Sequence, residues 1–390
     1  MSEFIKRREN KPQEVEGVVD KKEIFNTAGT AVVDFETEGR FSLPKQMNFY
    51  DFKGKDVSDM TLCKENERLE TLVTLLNKNK HEKYKDVDLQ EATPEELLEI
   101  LVNIKANYQG NYFPFYWLCD CQNDVPEKDR VANTDNIELS TLKFASISDA
   151  DKKLREFYKD MFENPENFST YLKMKYKTSD IDISKYKIED ELEKIEIKEP
   201  FIVADGKNVY EFEFPRIKHM IIANELVEKK YYNVVKNIQT RKEHSVPLAE
   251  LQRKKENELE KVEREKSKDF IAYVKALSLL TKNGEPLSNE QKVKELEEMS
   301  SSVFVDLTYS LDQIKFGLDD ERELSCPLCG KKSKRVLRRE IDIQYFLPTN
   351  IATTRESRKS TKLNIFIGAW IETARKWNYE HVLLCDKEKI

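Results

Sequence analysis

Two pairs of cysteines are the residues here whose types and spacing could do chemistry. Cys119 and Cys121 stand in "YFPFYWLCDCQND", and Cys326 and Cys329 stand in "ELSCPLCGKKSKRVLRREIDIQYFLP". A Cys-x-x-Cys turn serves one of two ends. A redox pair wants its first thiol at a helix N-terminus, where the dipole lowers the thiol pKa. Here Val336, Ile341 and Ile343 with interleaved charges predict a strand after the pair. A metal site wants two thiolates on one tetrahedral ion and a tight turn that aims backbone N–H groups at sulfur, which Gly330 permits. One such knuckle supplies half of a four-ligand set, and Cys119 with Cys121 are the natural other half. Their Cys-x-Cys spacing is tighter than usual, and the alternative is that these two are ordinary half-buried thiols. The reading adopted is one zinc ion held by Cys119, Cys121, Cys326 and Cys329. Whether Cys121 or another residue, such as His81 or His381, completes the set stays open. Cys63 and Cys385 read as packing residues.

The elements that must position these pairs follow from periodicity. "NIELSTLKFASI" alternates at Ile137, Leu139 and Leu142, so a strand is predicted after the first pair. A matching strand from Ile341 to Phe346 is predicted after the second. The aromatic run Tyr112, Phe113, Phe115, Tyr116 and Trp117 is expected as core beneath the first pair. Upstream, "ENERLETLVTLLNKNK" keeps helical spacing at Leu69, Leu72, Leu75 and Leu76. In "ATPEELLEILVNIKANY", Thr93 caps a helix, Pro94 suits its first position and Glu96 completes a capping box. "DADKKLREFYKDMF" predicts a further helix, and "IEIKEPFIVADGKNVYEFEFP" predicts strands about a turn at Asp205-Gly206. Helix is expected over most of residues 216–315, broken at Asn283-Gly284 and restarted by Ser288 with Gln291. The first forty-odd residues read as polar and irregular.

The expected fold class is therefore α+β, a small zinc-knuckle-bearing β core with a large helical insertion and N-terminal helices. The expected segments are an N-terminal arm (1–40), an N-terminal helical region (41–110), a first cysteine-bearing β segment (111–215), the helical insertion (216–316), a second cysteine-bearing β segment (317–348) and a C-terminal extension (349–390).

The bulk composition narrows function. Of 390 residues, 36% are charged, against about 25% in an average globular protein. The 66 basic residues nearly balance 73 acidic ones, which argues against a nucleic-acid coat or a polybasic membrane anchor. "MSEFIKRRENKPQEVEG" has no apolar signal-peptide core and no run reaches the length of a membrane span, so a cytosolic protein with free thiols or metal ligands is expected. No catalytic constellation stands out. Gly330-Lys331-Lys332-Ser333 lacks the glycine pattern of a phosphate loop. Asp319-Asp320 reads as a turn. The basic run Arg355, Arg358, Lys359 and Lys362 reads as a solvated linker.

Taken in order, several stretches resemble the baseplate hub family of T-even-type contractile-tailed bacteriophages. They are "GRFSLPKQMNFYDFKGKDVSDMTL", "TPEELLEILVNIKANY", the first cysteine segment with "NIELSTLKF", "FEFPRIKHMIIANELV", "LLTKNGEPLSNEQKV" and "DQIKFGLDDERELSCPLCGKKSKRVLRREIDIQYFLP". They span roughly residues 38–348. The resemblance implies a hub subunit or hub-assembly factor with no enzymatic role. It implies hub or tail proteins as partners, no small-molecule substrate, and a place in the host cytoplasm during assembly or in the virion. The family pattern has paired cysteines in both sheet segments, and the Cys-x-Cys at Cys119 and Cys121 departs from it. The alternative class is a zinc-ribbon, nucleic-acid-associated subunit of a phage transcription or recombination machine. That class predicts a coherent basic face.

Overall fold

Within the stretch that reads as polar and irregular, residues 30–49 enter the core. The computed structural model describes residues 30–108, 110–125, 130–176, 180–204, 208–241, 248–299 and 316–337. Strands β1 (Ala31–Asp34) and β2 (Gln46–Phe49) pair antiparallel, and Ala31, Val33, Met47 and Phe49 are fully buried. Each strand offers only two inward positions, too short an alternation to stand out in the sequence. Helices α1 (Gly54–Leu62) and α2 (Arg68–Asn79) follow, the latter burying Leu72, Leu75 and Leu76 as its spacing predicts, with Leu69 half-buried against the cluster and Val73 buried besides.

Helix α3 (Pro94–Tyr108) is the axis of the main apolar cluster. Its expected capping box is present: Glu96 N–H donates to Thr93 Oγ1 at 3.2 Å, and Thr93 N–H donates to Glu96 Oε2 at 2.8 Å. Glu96 also accepts from Thr37 Oγ1 at 2.7 Å, and Glu99 Oε2 from the Glu36 N–H at 3.0 Å. These bonds tie the first hairpin to α3 through buried carboxyls, and burial pushes both carboxyl pKa values up.

Strands β3 (Tyr112–Trp117) and β4 (Asn133–Glu138) form the next hairpin. The strand expected through Leu142 stops at Glu138. Leu139–Thr141 is a single 3-10 turn, because Asn111 captures the chain there: its C=O accepts from Leu139 N–H at 2.7 Å and its Oδ1 from Ser140 N–H at 2.9 Å. Then come β5 (Phe144–Ala145) and a satellite of α4 (Ile147–Phe162), α5 (Pro165–Tyr176) and α6 (Ile188–Glu193), packed around Phe162, Phe168, Leu172 and Ile195.

Strands β6 (Phe201–Ala204) and β7 (Val209–Phe212) pair as expected, with the turn itself outside the described residues. Helices α7 (Ile217–Thr240) and α8 (Leu248–Leu277) form an antiparallel pair. The Asn283-Gly284 break is more than a turn. Both residues have positive φ, the geometry that joins two twisted strands tightly. It makes a hairpin of β8 (Leu279–Lys282) and β9 (Glu285–Pro286) that adds to β7, giving a four-stranded antiparallel sheet. Helix α9 (Asn289–Glu298) starts at the predicted Ser288–Gln291 box. The helix expected over 300–315 lies outside the described residues.

The chain returns as β10 (Gly317–Leu318), β11 (Glu321–Ser325) and β12 (Lys332–Val336). The α+β class holds, but among the described residues the strands do not gather into one β core. They form four two-stranded ribbons and one four-stranded sheet. The two-stranded ribbons pack on the main apolar cluster, to which α7 and α8 contribute Ile217, Met220, Ala223, Val227, Phe270, Val274 and Leu277, while the four-stranded sheet buries Tyr210, Phe212 and Leu279 in a second cluster with Ile147 and Phe316. The strand expected over 341–346 lies outside the described residues. No helix among the described residues is long and apolar enough to cross a membrane.

Candidate metal centre

Both cysteine pairs sit at hairpin tips. In β3, Phe113, Phe115 and Trp117 point inward, as expected of core beneath the pair, while Tyr112 is exposed. The strand ends at Trp117, and Cys119 opens a short 3-10 turn in the connection to β4. That connection is closed by Gln122, which is buried. Its amide donates to Val131 C=O and accepts from Val131 N–H, both at 2.7 Å. In the second hairpin, Cys326 directly follows β11. Its N–H donates to Lys331 C=O at 2.9 Å, and the Gly330 N–H donates to Cys326 C=O at 2.8 Å. Gly330 has φ +70°, the left-handed conformation this turn requires and glycine adopts without strain.

Contacts other than those of the sulfurs also hold the two hairpins together. Strand β10, just ahead of the second hairpin, pairs with β5, just after the first: Gly317 faces Ala145 and Leu318 faces Phe144. The Asp319 N–H donates to Lys143 C=O at 2.9 Å. Arg322 Nη2 bonds Thr141 C=O and Oγ1, each at 2.8 Å, and its guanidinium is held by buried Asp320 at 2.7 Å. Arg335 donates to Leu118 C=O at 2.5 Å and lies 5.0 Å over the Trp117 ring.

The result is that Cys119, Cys121, Cys326 and Cys329 place four sulfurs within 4.8 Å of one another. Cys119 Sγ is 3.7 Å from Cys329 Sγ, and Cys121 Sγ is 3.9 Å from Cys326 Sγ. A tetrahedral ion with metal–sulfur bonds of about 2.3 Å requires sulfur–sulfur edges of roughly 3.8 Å. The donor set therefore fits a thiolate-bound ion such as zinc, and Cys121 stands where the fourth ligand is needed. Cys119 and Cys326 are buried, and Cys121 and Cys329 are exposed. Burial pushes the Cys326 thiol up, but the Cys329 and Leu328 N–H groups aimed at its sulfur outweigh this and bring it down to about 6. Cys121, hydrogen-bonded to Cys119 and crowded by the other sulfurs, is pushed up to about 12. Four thiolates so close repel, and a divalent cation among them is what allows all four to ionise together.

Among the described residues, the other candidates are not part of the cluster. His81 Nδ1 accepts from the Lys83 N–H and its ring stacks on Tyr50. Cys63 is half-buried, with Sγ donating to Met60 C=O at 3.1 Å. His381, Cys385 and the basic run at Arg355, Arg358, Lys359 and Lys362 lie outside the described residues. Lys332 and Ser333 belong to β12, not to a phosphate loop. Sequence reasoning missed Asn133, whose buried Nδ2 donates to Cys326 Sγ at 3.7 Å. It faces Trp117 across β3–β4, a register that only the hairpin reveals.

One further grouping has the outline of a catalytic triad. Ser278 Oγ is 3.4 Å from His219 Nδ1, and Glu213 Oε1 is 3.2 Å from His219 Nε2. Both Ser278 and His219 are at most 3% exposed. Nδ1 already accepts from the Arg216 N–H at 3.2 Å, and the Ser278 hydroxyl donates to Val274 C=O at 2.9 Å. The group is a sealed helix cap.

No family model, curated protein or solved structure matches this chain.

Proposed function

We propose that this chain is a baseplate hub component, or a hub-assembly factor, of a contractile-tailed bacteriophage. It works through protein–protein contacts and carries one structural zinc ion on Cys119, Cys121, Cys326 and Cys329. The cysteine cluster is the observation that supports it most. Four thiolates leave no coordination position for water or substrate, which is the donor set of a structural ion rather than a catalytic one. When bound, the ion supplies cross-linking of two distant chain segments and folding free energy, with no chemical step. Such a tie suits a subunit that must hold one shape while partners assemble on it.

The helical pair offers the contact surface. Helix α8 has 30 residues, a length of about 45 Å. Its root is in the main core at Phe270, Val274 and Leu277, while Ile238, Leu251 and Val262 at the far end are buried but belong to none of the three apolar clusters. Charge pairs run along the helix pair, Lys230–Asp269 at 2.6 Å and Lys266–Glu228 at 2.7 Å beside the root and Arg241–Glu258 at 2.7 Å further out. The outer face from Glu250 to Lys268 then presents mixed charge, which favours registration of a partner more than raw affinity. Two cations of the second hairpin are engaged within the chain, which speaks against a nucleic-acid role: Lys332 pairs with Glu323 at 2.7 Å, and Arg335 is turned onto Trp117.

The test is affinity purification of the tagged chain from infected cells. Recovery of hub or tail proteins is expected. Recovery of nucleic-acid enzymes, with binding abolished by nuclease, would favour the alternative class.

A further inference from the structure

We propose that the cysteine cluster is also a peroxide-reactive site, whose oxidation replaces the metal tie by two disulfides, Cys119–Cys329 and Cys121–Cys326. The proposal rests on the zinc reading above. Two observations carry it. The recorded sulfur–sulfur approaches of 3.7 and 3.9 Å both cross between the hairpins, so the sulfurs need close only a short gap to bond. Each crossing pair also joins an exposed cysteine to a buried one: Cys329 with Cys119, and Cys121 with Cys326. The exposed member meets the oxidant, and the buried member stands behind it to resolve the product. Closure within Cys119-Asp120-Cys121 instead would make a small strained ring.

The step balances on the sulfurs. The Cys329 thiolate attacks a peroxide oxygen; the O–O bond breaks, the sulfur becomes a sulfenic acid and hydroxide leaves. The Cys119 thiolate attacks that sulfur, the S–S bond forms and a second hydroxide leaves. The same sequence at Cys121 and Cys326 uses a second peroxide. Four thiolates thus give up four electrons, and two peroxides become four hydroxides. Because both disulfides cross between hairpins, the oxidised chain keeps its two segments tied after the ion has gone.

The experiment treats the zinc-loaded full chain with hydrogen peroxide, follows zinc release with a chromogenic chelator, and maps disulfides by mass spectrometry. The expected result is release of one zinc per chain together with Cys119–Cys329 and Cys121–Cys326 peptides, reversed by dithiothreitol and added zinc. Cys63→Ser should release zinc at the wild-type rate. Retention of zinc under peroxide that oxidises a free thiol peptide would overturn the proposal and leave the zinc reading standing. So would release accompanied by sulfinic or sulfonic acids, or by Cys326–Cys329 disulfide. A chain that binds no zinc removes both.

Discussion

The sulfur of Cys119 lies 3.7 Å from that of Cys329, 210 residues further along the chain. A tie across so long a loop removes much of the freedom of the unfolded chain, so losing a ligand is expected to cost more than losing a thiol elsewhere. Cys326→Ser is predicted to lose the metal and lower the thermal midpoint sharply. Cys63→Ser, which keeps a donor to Met60 C=O, should stay within about 0.5 kcal/mol of wild type. Thermal melts of both variants with and without chelator check this: chelator should shift wild type and Cys63→Ser, and leave Cys326→Ser where it is.

The β5–β10 pairing helps to set the approach of the two hairpins, and Gly317 in it leaves no room for a side chain. Its φ is +79°, and a Cβ there would lie 2.8 Å from Glu95 Cγ and 2.9 Å from Glu95 Cβ. Gly317→Ala is predicted to cost about 1–3 kcal/mol through strain and displacement of Glu95. It should also weaken metal binding, although no sulfur is touched. Chemical denaturation and a competitive chelator titration are the two readouts. Unchanged metal affinity would mean that the sulfurs, not the strands, bring the hairpins together.

Much of this was legible in the sequence. The Thr93–Glu96 and Ser288–Gln291 boxes gave helix starts because capping residues act on their own next turn. The Cys-x-x-Cys-Gly turn pointed to a metal-binding knuckle, and Cys119 with Cys121 to its other half, although their tighter spacing left the place of Cys121 open. What stayed hidden was set by partners distant in the chain. Strands β1, β2, β5 and β10 are too short to show a period, and they are strands only because they pair. Leu139 alternates like a strand residue, but Asn111 bends it into a turn. Asn133 carried no signal as a sulfur donor until its register opposite Trp117 was set.

Acid should loosen the satellite of α4, α5 and α6 through Glu191. Burial pushes this carboxyl up, but Lys175 at 2.6 Å, Lys194 at 2.7 Å and the Tyr176 hydroxyl at 3.0 Å outweigh that and hold it down at about 2. A depressed folded-state pKa stabilises above the unfolded value near 4.5, and that stability is lost as pH falls from there through about 2. Glu191→Gln is predicted to cost about 1–3 kcal/mol at neutral pH and to narrow its gap from wild type as pH falls below 4.5. Urea midpoints measured across that range decide it.

The outer face of α8 should matter to partners and little to folding. Arg253, Lys261 and Glu265 are exposed. Arg253→Glu, Lys261→Glu and Glu265→Lys together are predicted to keep the melting temperature within a few degrees, as surface changes usually do. Recovery of hub or tail proteins from infected cells should fall sharply, and complementation of a phage lacking the gene should yield few complete tails by electron microscopy. Wild-type tail counts would remove this surface from the account.

The central claim, that a single metal ion joins the two hairpins, is met most directly by elemental analysis of the full chain purified without chelator from zinc-replete cells. The account predicts one zinc per chain, with Cys119, Cys121, Cys326 and Cys329 protected from alkylation until the metal is removed. A zinc content near zero, with those four thiols titrating freely in the native protein, would contradict it.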